Sequence, residues 1–376
     1  MVKQIGLAVF ICLIFFNYAG ASAPICNNMS APGGDHPDET FSADAGNPPA
    51  EPPFVSDHNA IAFKTGFYEN LTSLLNKAKS SYVKADIDTP VTDLLAASKL
   101  LVIPSGGLYG MEKSAFFKAT LDEYVKQGGT LIVFAQQHGY EFGALPVPPE
   151  PDGTYRQVGG YGWQEDQSCY ANSVYINTYH QILSGQNRST PTLNVDGYFT
   201  EYPSSATVLL RRTANGQPAM LMYDYGLGKV IVTSMYSDYA YGHSQASSEE
   251  IALVRDMVSW AKAPAQLPEV RPGDAVSLTL NMTNLTNTPA TSAKVQVYSP
   301  DRSTLLSEQV INVPIPAGQI ANIPVAYQSA TRNQLGIYHV DYALLDASGN
   351  IIQPQAETDS GRFAVSNPPL YTRIFS

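Results

Sequence analysis

The chain has 376 residues, of which 15% are charged, and a formal net charge of −11. It carries no basic block or stripe that would neutralise a phosphate backbone, so nucleic acid is set aside as a partner. No HExxH, CxxC or DxDxDG pattern occurs, so neither a metal site nor a cofactor is read from the sequence.

The chain opens on an export signal. Lys3 precedes the apolar run 5–16, and Ala19-Gly20-Ala21 forms an A-x-A cleavage site before Ser22. A run of about a dozen apolar residues is too short to span a bilayer. Ala23-Pro24-Ile25 lacks the small residue expected just before a lipidated cysteine. Residues 1–21 are therefore read as a signal peptide, and the mature chain as secreted or periplasmic, without a membrane span. Cys12 leaves with the signal, and in an oxidising compartment Cys26 and Cys169 are expected to form a disulfide, with two free thiols as the alternative. Residues 22–57, centred on GNPPAEPP, lack periodicity and read as an extended arm.

Globular structure begins near His58, with a strand at 60–63, a helix at 67–78 carrying Phe67, Leu71, Leu74 and Leu75 on one face, and a strand at 83–87. The stretch 98–139 is the centre around which the domain is organised. Residues 100–103 and 131–134 are continuous apolar runs, the pattern of strands buried on both faces of a parallel sheet. Between them Phe117, Leu121, Tyr124 and Val125 line one helical face, and Gly128-Gly129 supplies the stop. Such a βαβ unit places ligands just past the strand C-termini, here at residues 104–107 and 135–139.

Residues 140–172 are so rich in Gly and Pro that they read as an irregular insertion forming a lid or contact surface. Between positions 140 and 241 lie 13 of the 23 tyrosines, amphipathic rings suited to stacking on sugars or burial at protein contacts, or else ordinary filling of a chain poor in charge. Strands at 206–211, 219–223 and 229–234 and a helix at 248–262, capped by Ser247 or Ser248, close this first domain, assigned to 58–264. Residues 269–366 alternate apolar and polar (Val276, Leu278, Leu280, Met282; Tyr338, Val340, Tyr342, Leu344), which predicts an antiparallel β-sandwich. Residues 367–376 read as a linker or tail, so further domains of a longer protein are expected beyond them.

The segments LLVIPSGG, GGTLIVFAQQHG, YHQILSG, YGLGKVIVTSMYSDYAYGHS and EEIALVRDMVSWA give residues 58–262 a resemblance to the glutamine amidotransferase-like superfamily. Within it the chain is similar to trehalose-utilisation-type (ThuA-like) domains and to the amidotransferase-like domain of some β-galactosidases. RPGDAVSLTLNMTNLTN, GIYHVDYALLDASGN and GRFAVS make 269–366 resemble bacterial extracellular immunoglobulin-like modules. The implied fold class is α/β, a flavodoxin-like three-layer domain with a mostly parallel sheet, followed by an antiparallel β-sandwich.

Catalytic members of the superfamily carry G-x-C-x-G on the strand-to-helix turn; here Ala135-Gln136-Gln137-His138-Gly139 stands in its place. Gln137 occupies the nucleophile position, and an amide cannot act as a thiolate does, so glutaminase activity is not expected. His243 in YGHS matches a Gly-His of the trehalose-utilisation-type members and implies a link to sugars. His138, Asp238, His243 and Glu249 are candidates for a metal or acid/base group at the strand ends. Ser105 is a candidate nucleophile, although G-x-S-x-G is absent, and Gly106-Gly107 is a candidate anion cradle. The favoured reading is a non-catalytic secreted protein that binds carbohydrate or an extracellular protein partner through Gly106, Gly107, Tyr161, Trp163, Tyr239 and Tyr241. The alternative is an extracellular hydrolase of glycans or peptides using His243 and a nearby carboxylate.

Overall fold

The structure is a computed structural model that describes residues 60–166, 174–186, 191–262, 267–284, 286–328, 334–352 and 357–366. The segments read as signal peptide, arm and tail, and Cys26 and Cys169 with their expected disulfide, lie outside the described residues. Among the described residues no helix is long and apolar enough to cross a membrane.

The first part of the chain supplies strands β1 (Ala60–Phe63), β2 (Tyr82–Ala85), β3 (Leu100–Ile103), β4 (Thr130–Val133), β5 (Gly159–Tyr161), β6 (Val174–Ile176), β7 (Tyr198–Glu201), β8 (Thr207–Arg212), β9 (Pro218–Tyr225) and β10 (Gly228–Thr233). Its helices are α1 (Tyr68–Lys77), α2 (Val91–Ala97), α3 (Ala115–Lys126), α4 (Trp163–Asp166), α5 (Ser237–Gly242) and α6 (Ser248–Ala261). Eight strands form one sheet in the order β2-β1-β3-β4-β10-β9-β8-β6. The first five run parallel, and β9, β8 and β6 continue it antiparallel.

The apolar runs are continuous because successive side chains feed two cores. Ala60, Ala62, Leu100, Val102, Ile132 and Ile231 face one side, where they meet Leu71, Leu74 and Leu75 of α1 and Leu253, Val254, Met257 and Val258 of α6. Ile61, Phe63, Leu101, Ile103, Leu131, Val133, Val230 and Val232 face the other, against Leu94 of α2 and Phe117, Leu121, Tyr124 and Val125 of α3. Ser114 caps α3 by accepting from the Phe117 amide, and Ser247 caps α6 by accepting from Glu250. After α3 the chain turns at Gly128, whose φ is +99°. A Cβ on the next residue, Gly129, would stand 2.3 Å from the Tyr124 ring, so the turn into β4 requires that glycine.

The expectation that 140–172 lacks regular structure is corrected in part. The insertion holds a 3-10 helix (Gly139–Ala144), the strand β5, which pairs antiparallel with β7, and the single turn α4. Its glycines serve close backbone approach, and that is why composition hid these elements.

The second part of the chain contains β11 (Glu269–Val270), β12 (Ala275–Thr283), β13 (Ala290–Tyr298), β14 (Leu305–Ile315), β15 (Ile320–Gln328), β16 (Gly336–Leu345) and β17 (Glu357–Val365). They form a five-stranded sheet, β11-β17-β16-β13-β14, and a two-stranded sheet, β12-β15. A third core gathers Val276, Leu280, Met282 and Val325 of the small sheet with Val295, Val297, Tyr338, Val340, Tyr342 and Phe363 of the larger. Every residue of β16 is buried, because its other face lies toward α6, with Ile337 joining the α6 core. Polar pairs tie the two parts together. The Gln181 side chain bonds both backbone groups of Leu267, just before β11, and the Tyr179 hydroxyl donates to Glu269 of β11 at 2.7 Å.

Candidate functional site

The parallel strands deliver their C-termini to one edge, where the segments after β1, β3, β4 and β10 meet α4 of the insertion. Beneath that edge lies Asp238, fully buried. Its Oδ2 accepts from the Ser105 amide at 2.7 Å, and its Oδ1 accepts from Ser105 Oγ at 2.5 Å and from the Tyr239 amide at 2.9 Å. Burial pushes the Asp238 carboxyl up to about 6, against the pull of the Ser105 donors. Ser105 is itself wholly buried, and among the described residues its side chain meets the Asp238 carboxylate rather than a histidine. The pair is a structural cross-link between the ends of β3 and β10.

The glycine cradle is corrected for a similar reason. Gly106 donates its amide to the Ala135 carbonyl and Gly107 donates to Pro104, so both N–H groups are engaged. A Cβ on Gly107 would meet Thr65 Oγ1 at 2.8 Å, and one on Gly106 would meet the Trp163 ring at 3.1 Å. The glycines give the edge its close packing.

Trp163, expected from the sequence to be an exposed stacking residue, is 3% exposed. With Ala135, Tyr236, Tyr239, Ala240 and Phe67 it forms an apolar plug over the strand ends. The Phe67 ring lies 4.9 Å from Tyr239, edge-on, and 6.3 Å from Trp163. Tyr239 is 4% exposed and Tyr241 packs half-buried against the α1 side of the sheet. Neither is presented for stacking.

The two candidate histidines go to different partners. His243 is exposed, stacks on Tyr239 at 4.0 Å and places Nδ1 2.8 Å from the Tyr239 carbonyl. His138 stacks on Tyr140 at 5.0 Å and places Nδ1 2.6 Å from Glu165 Oε1. Glu165, absent from the sequence-based candidates, also accepts from the amides of Gly162 at 2.7 Å and Gly139 at 3.3 Å, and so pins the insertion to the turn after β4. Among the described residues no three His, Cys, Asp or Glu side chains gather as a metal-ligand set. The expected convergence of His138, Asp238 and His243 does not occur; Glu249 stands in the first turn of α6.

Gln137 stands half-buried at the turn, with its backbone carbonyl accepting from the Gln164 amide. Gln136 is the structural member of the pair: it is fully buried, receives the Leu108 amide at 2.7 Å and donates to the carbonyls of Phe134 and Pro104. Two further acids, Glu112 and Glu141, lie beside this turn. Glu141, in the 3-10 helix after it, is 0% exposed. Burial pushes its carboxyl up to about 7, aided by the charge of Glu112 and opposed by the His138 and Gln137 amides and the His138 ring. Neither amide reaches hydrogen-bonding geometry with it.

What remains exposed is aromatic. Tyr140 is 56% and Tyr161 42% exposed, and Tyr161 stacks on Tyr198 at 4.8 Å. Tyr109, also exposed, lies within electrostatic reach of Tyr140. The arrangement offers flat, half-solvated rings above a sealed plug.

The seat of the insertion gives a direct test. A Cβ on Gly139 would stand 1.9 Å from the Gly160 carbonyl oxygen, whereas one on Gly143 in the same 3-10 helix meets nothing within 4 Å. Gly139→Ala is expected to cost about 3 kcal/mol, the upper end of overpacking, because backbone rather than a rotatable side chain must move. Gly143→Ala should change little, and urea unfolding of both variants measures the contrast.

No family model matches this chain, and no curated protein matches it. Solved structures are similar to parts of it. A cytoplasmic protein, STM1381, from Salmonella typhimurium LT2 aligns with 15% identity and a TM-score of 0.35, covering 50% of this chain and 85% of its own. The mmIFT52 N-terminal domain aligns with 13% identity and a TM-score of 0.35, covering 55% of this chain and 99% of its own. A β-galactosidase from Bacillus circulans sp. alkalophilus aligns with 12% identity and a TM-score of 0.31, covering 69% of this chain and 37% of its own. Overlaps of this extent leave the site to be argued from its own residues.

Proposed function

We propose that this chain is an exported, non-catalytic binding protein that takes carbohydrate on the exposed rings at the strand C-terminal edge. In this reading residues 58–264 are a flavodoxin-like, amidotransferase-like domain that has lost its nucleophile, and residues 269–366 an immunoglobulin-like β-sandwich that spaces it. The observation that carries the reading is the pair of ring stacks, His138 on Tyr140 and Tyr161 on Tyr198, left half-solvated beside a turn whose nucleophile position holds an amide. Sugar rings present C–H faces that pack on such surfaces, while their hydroxyls stay hydrated at the rim.

Glycan-array binding of the purified chain, followed by calorimetry on Tyr140→Ala and Tyr161→Ala, tests it. Each variant is expected to weaken the ligand about tenfold, or about 1.4 kcal/mol, as loss of a stacking anchor does. An array without a bound glycan, or wild-type affinity in both variants, would sink the reading and leave a protein partner as the ligand class.

The His138–Glu165 pair supports a second reading, an extracellular hydrolase of glycans or peptides with His138 in place of His243 as proton carrier. Turnover abolished by His138→Ala would decide for it.

A further inference from the structure

Resting on the carbohydrate reading above, we infer that the ligand is a neutral oligosaccharide of at least two linked sugars, laid across Tyr140 and Tyr161 with Glu165 accepting a hydroxyl. Tyr140 stacks on His138 and Tyr161 stacks on Tyr198, so the exposed rings form two platforms rather than one. One carboxylate frames both. Glu165 Oε1 lies 2.6 Å from His138 Nδ1, and its Oε2 accepts from Gly162, the residue after Tyr161, at 2.7 Å and from Gly139, the residue before Tyr140, at 3.3 Å. The two backbones also touch. A Cβ on Gly139 would stand 2.7 Å from the Tyr161 nitrogen, which puts the Cα atoms of Tyr140 and Tyr161 within about 10 Å of each other.

Each platform is built before a ligand arrives. A ring already packed on a second ring gives up little freedom on binding, and Glu165 holds His138 and the turn beside Tyr161 in the same way. One sugar ring covers one aromatic face, so a single sugar meets one platform. A chain that has settled on the first platform reaches the second as an intramolecular event, and its affinity rises without any new kind of contact.

The polar groups beside the rings select among chains. Glu165 makes three contacts of the roughly four that a carboxylate can accept, and its side chain is 32% exposed, so a sugar hydroxyl can supply the fourth. Glu201, exposed on β7, adds a second acid. A Cβ on Gly159 would stand 3.8 Å from Glu201 Oε2 and 3.9 Å from the Gly139 carbonyl oxygen. Arg212, the cation against the Tyr198 ring, is 1% exposed and paired with Asp166, so it is not presented to an anion. Uronic-acid or sulfated chains would bring like charge to this acidic rim, and discrimination falls to the neutral ones.

The test is titration calorimetry of the full chain with glucose, galactose and mannose, with their neutral chains of increasing length, and with the corresponding uronic-acid chains. Wild-type affinity should rise about tenfold or more between the single sugar and the shortest chain that reaches both rings. Tyr140→Ala and Tyr161→Ala, both at exposed positions where replacement leaves the fold intact, should each remove that gain. At low salt the uronic-acid chains should bind about tenfold more weakly than the neutral ones. Affinity independent of chain length, a length gain retained by both variants, or uronic-acid chains bound as tightly as neutral ones overturns the inference and leaves the carbohydrate reading standing. No sugar bound at any length removes both.

Discussion

Replacing Trp163 with alanine is expected to lower stability by about 3–5 kcal/mol, the range for truncating a large buried aromatic side chain. The ring fills the space over Gly106, where φ is +69°, and packs with Ala135, Tyr236 and Tyr239, so its removal opens a cavity at the ends of β3, β4 and β10. Its indole N–H makes no hydrogen bond, so the shape of the ring matters more than its polar atom, and Trp163→Phe should retain most of the stability. Urea unfolding measures both variants. A loss under about 1 kcal/mol for Trp163→Ala would return Trp163 to the surface role that its place in a Gly-rich insertion suggests.

Stability should rise as the pH falls from about 8 to about 5, opposite to the common carboxylate pattern. Burial pushes Asp196, Glu250 and Asp256 up to about 7 and Asp238 up to about 6, above their ordinary values of 3.8 or 4.5. Hydrogen bonds from Ser237 and Asn194 to Glu250 oppose the rise, while the charge of Asp166 adds to it at Asp196. The native state therefore binds protons that the unfolded chain has already released. That contribution is complete below the unfolded values and is lost as pH climbs through the folded ones. Hydrogen bonds act the other way at exposed acids: those from Ser204 to Glu150, Thr154 to Asp152 and Asn350 to Asp346 hold these groups below the ordinary range. Their stabilisation disappears in stronger acid and sets a lower limit. Calorimetric melting across this range should show a maximum near pH 4–5; a melting temperature that rises steadily toward pH 8 would refute the assignment.

The elements legible in the sequence are those whose signal is periodic. Leu100–Ile103 reads as a strand buried on both faces because its alternate residues do enter two cores, and the 3.6-residue stripe of Phe117, Leu121, Tyr124 and Val125 marks α3 because all four meet one core. The site is less legible because its partners are distant in sequence. Ser105 bonds Asp238, and His138 meets Glu165 across an insertion without hydrophobic period. Gly and Pro around Trp163 suggest an exposed loop; those glycines instead let backbones approach closely enough to bury the ring. Glu141 carries no signal at all, because nothing in a GYEFGA hexapeptide distinguishes a solvated acid from a sealed one.

The cross-link between Ser105 and Asp238 spans 133 residues, and that separation has a consequence for the order of folding. Closing so long a loop costs conformational entropy that local contacts cannot repay, so the edge gains its hydrogen bonds only after β10 has docked beside β4. A nascent chain not yet synthesised as far as Tyr236 leaves the Ser105 amide unmet and lacks Tyr236 and Tyr239, which bury Trp163. During that interval the apolar rings of the edge are exposed and prone to association.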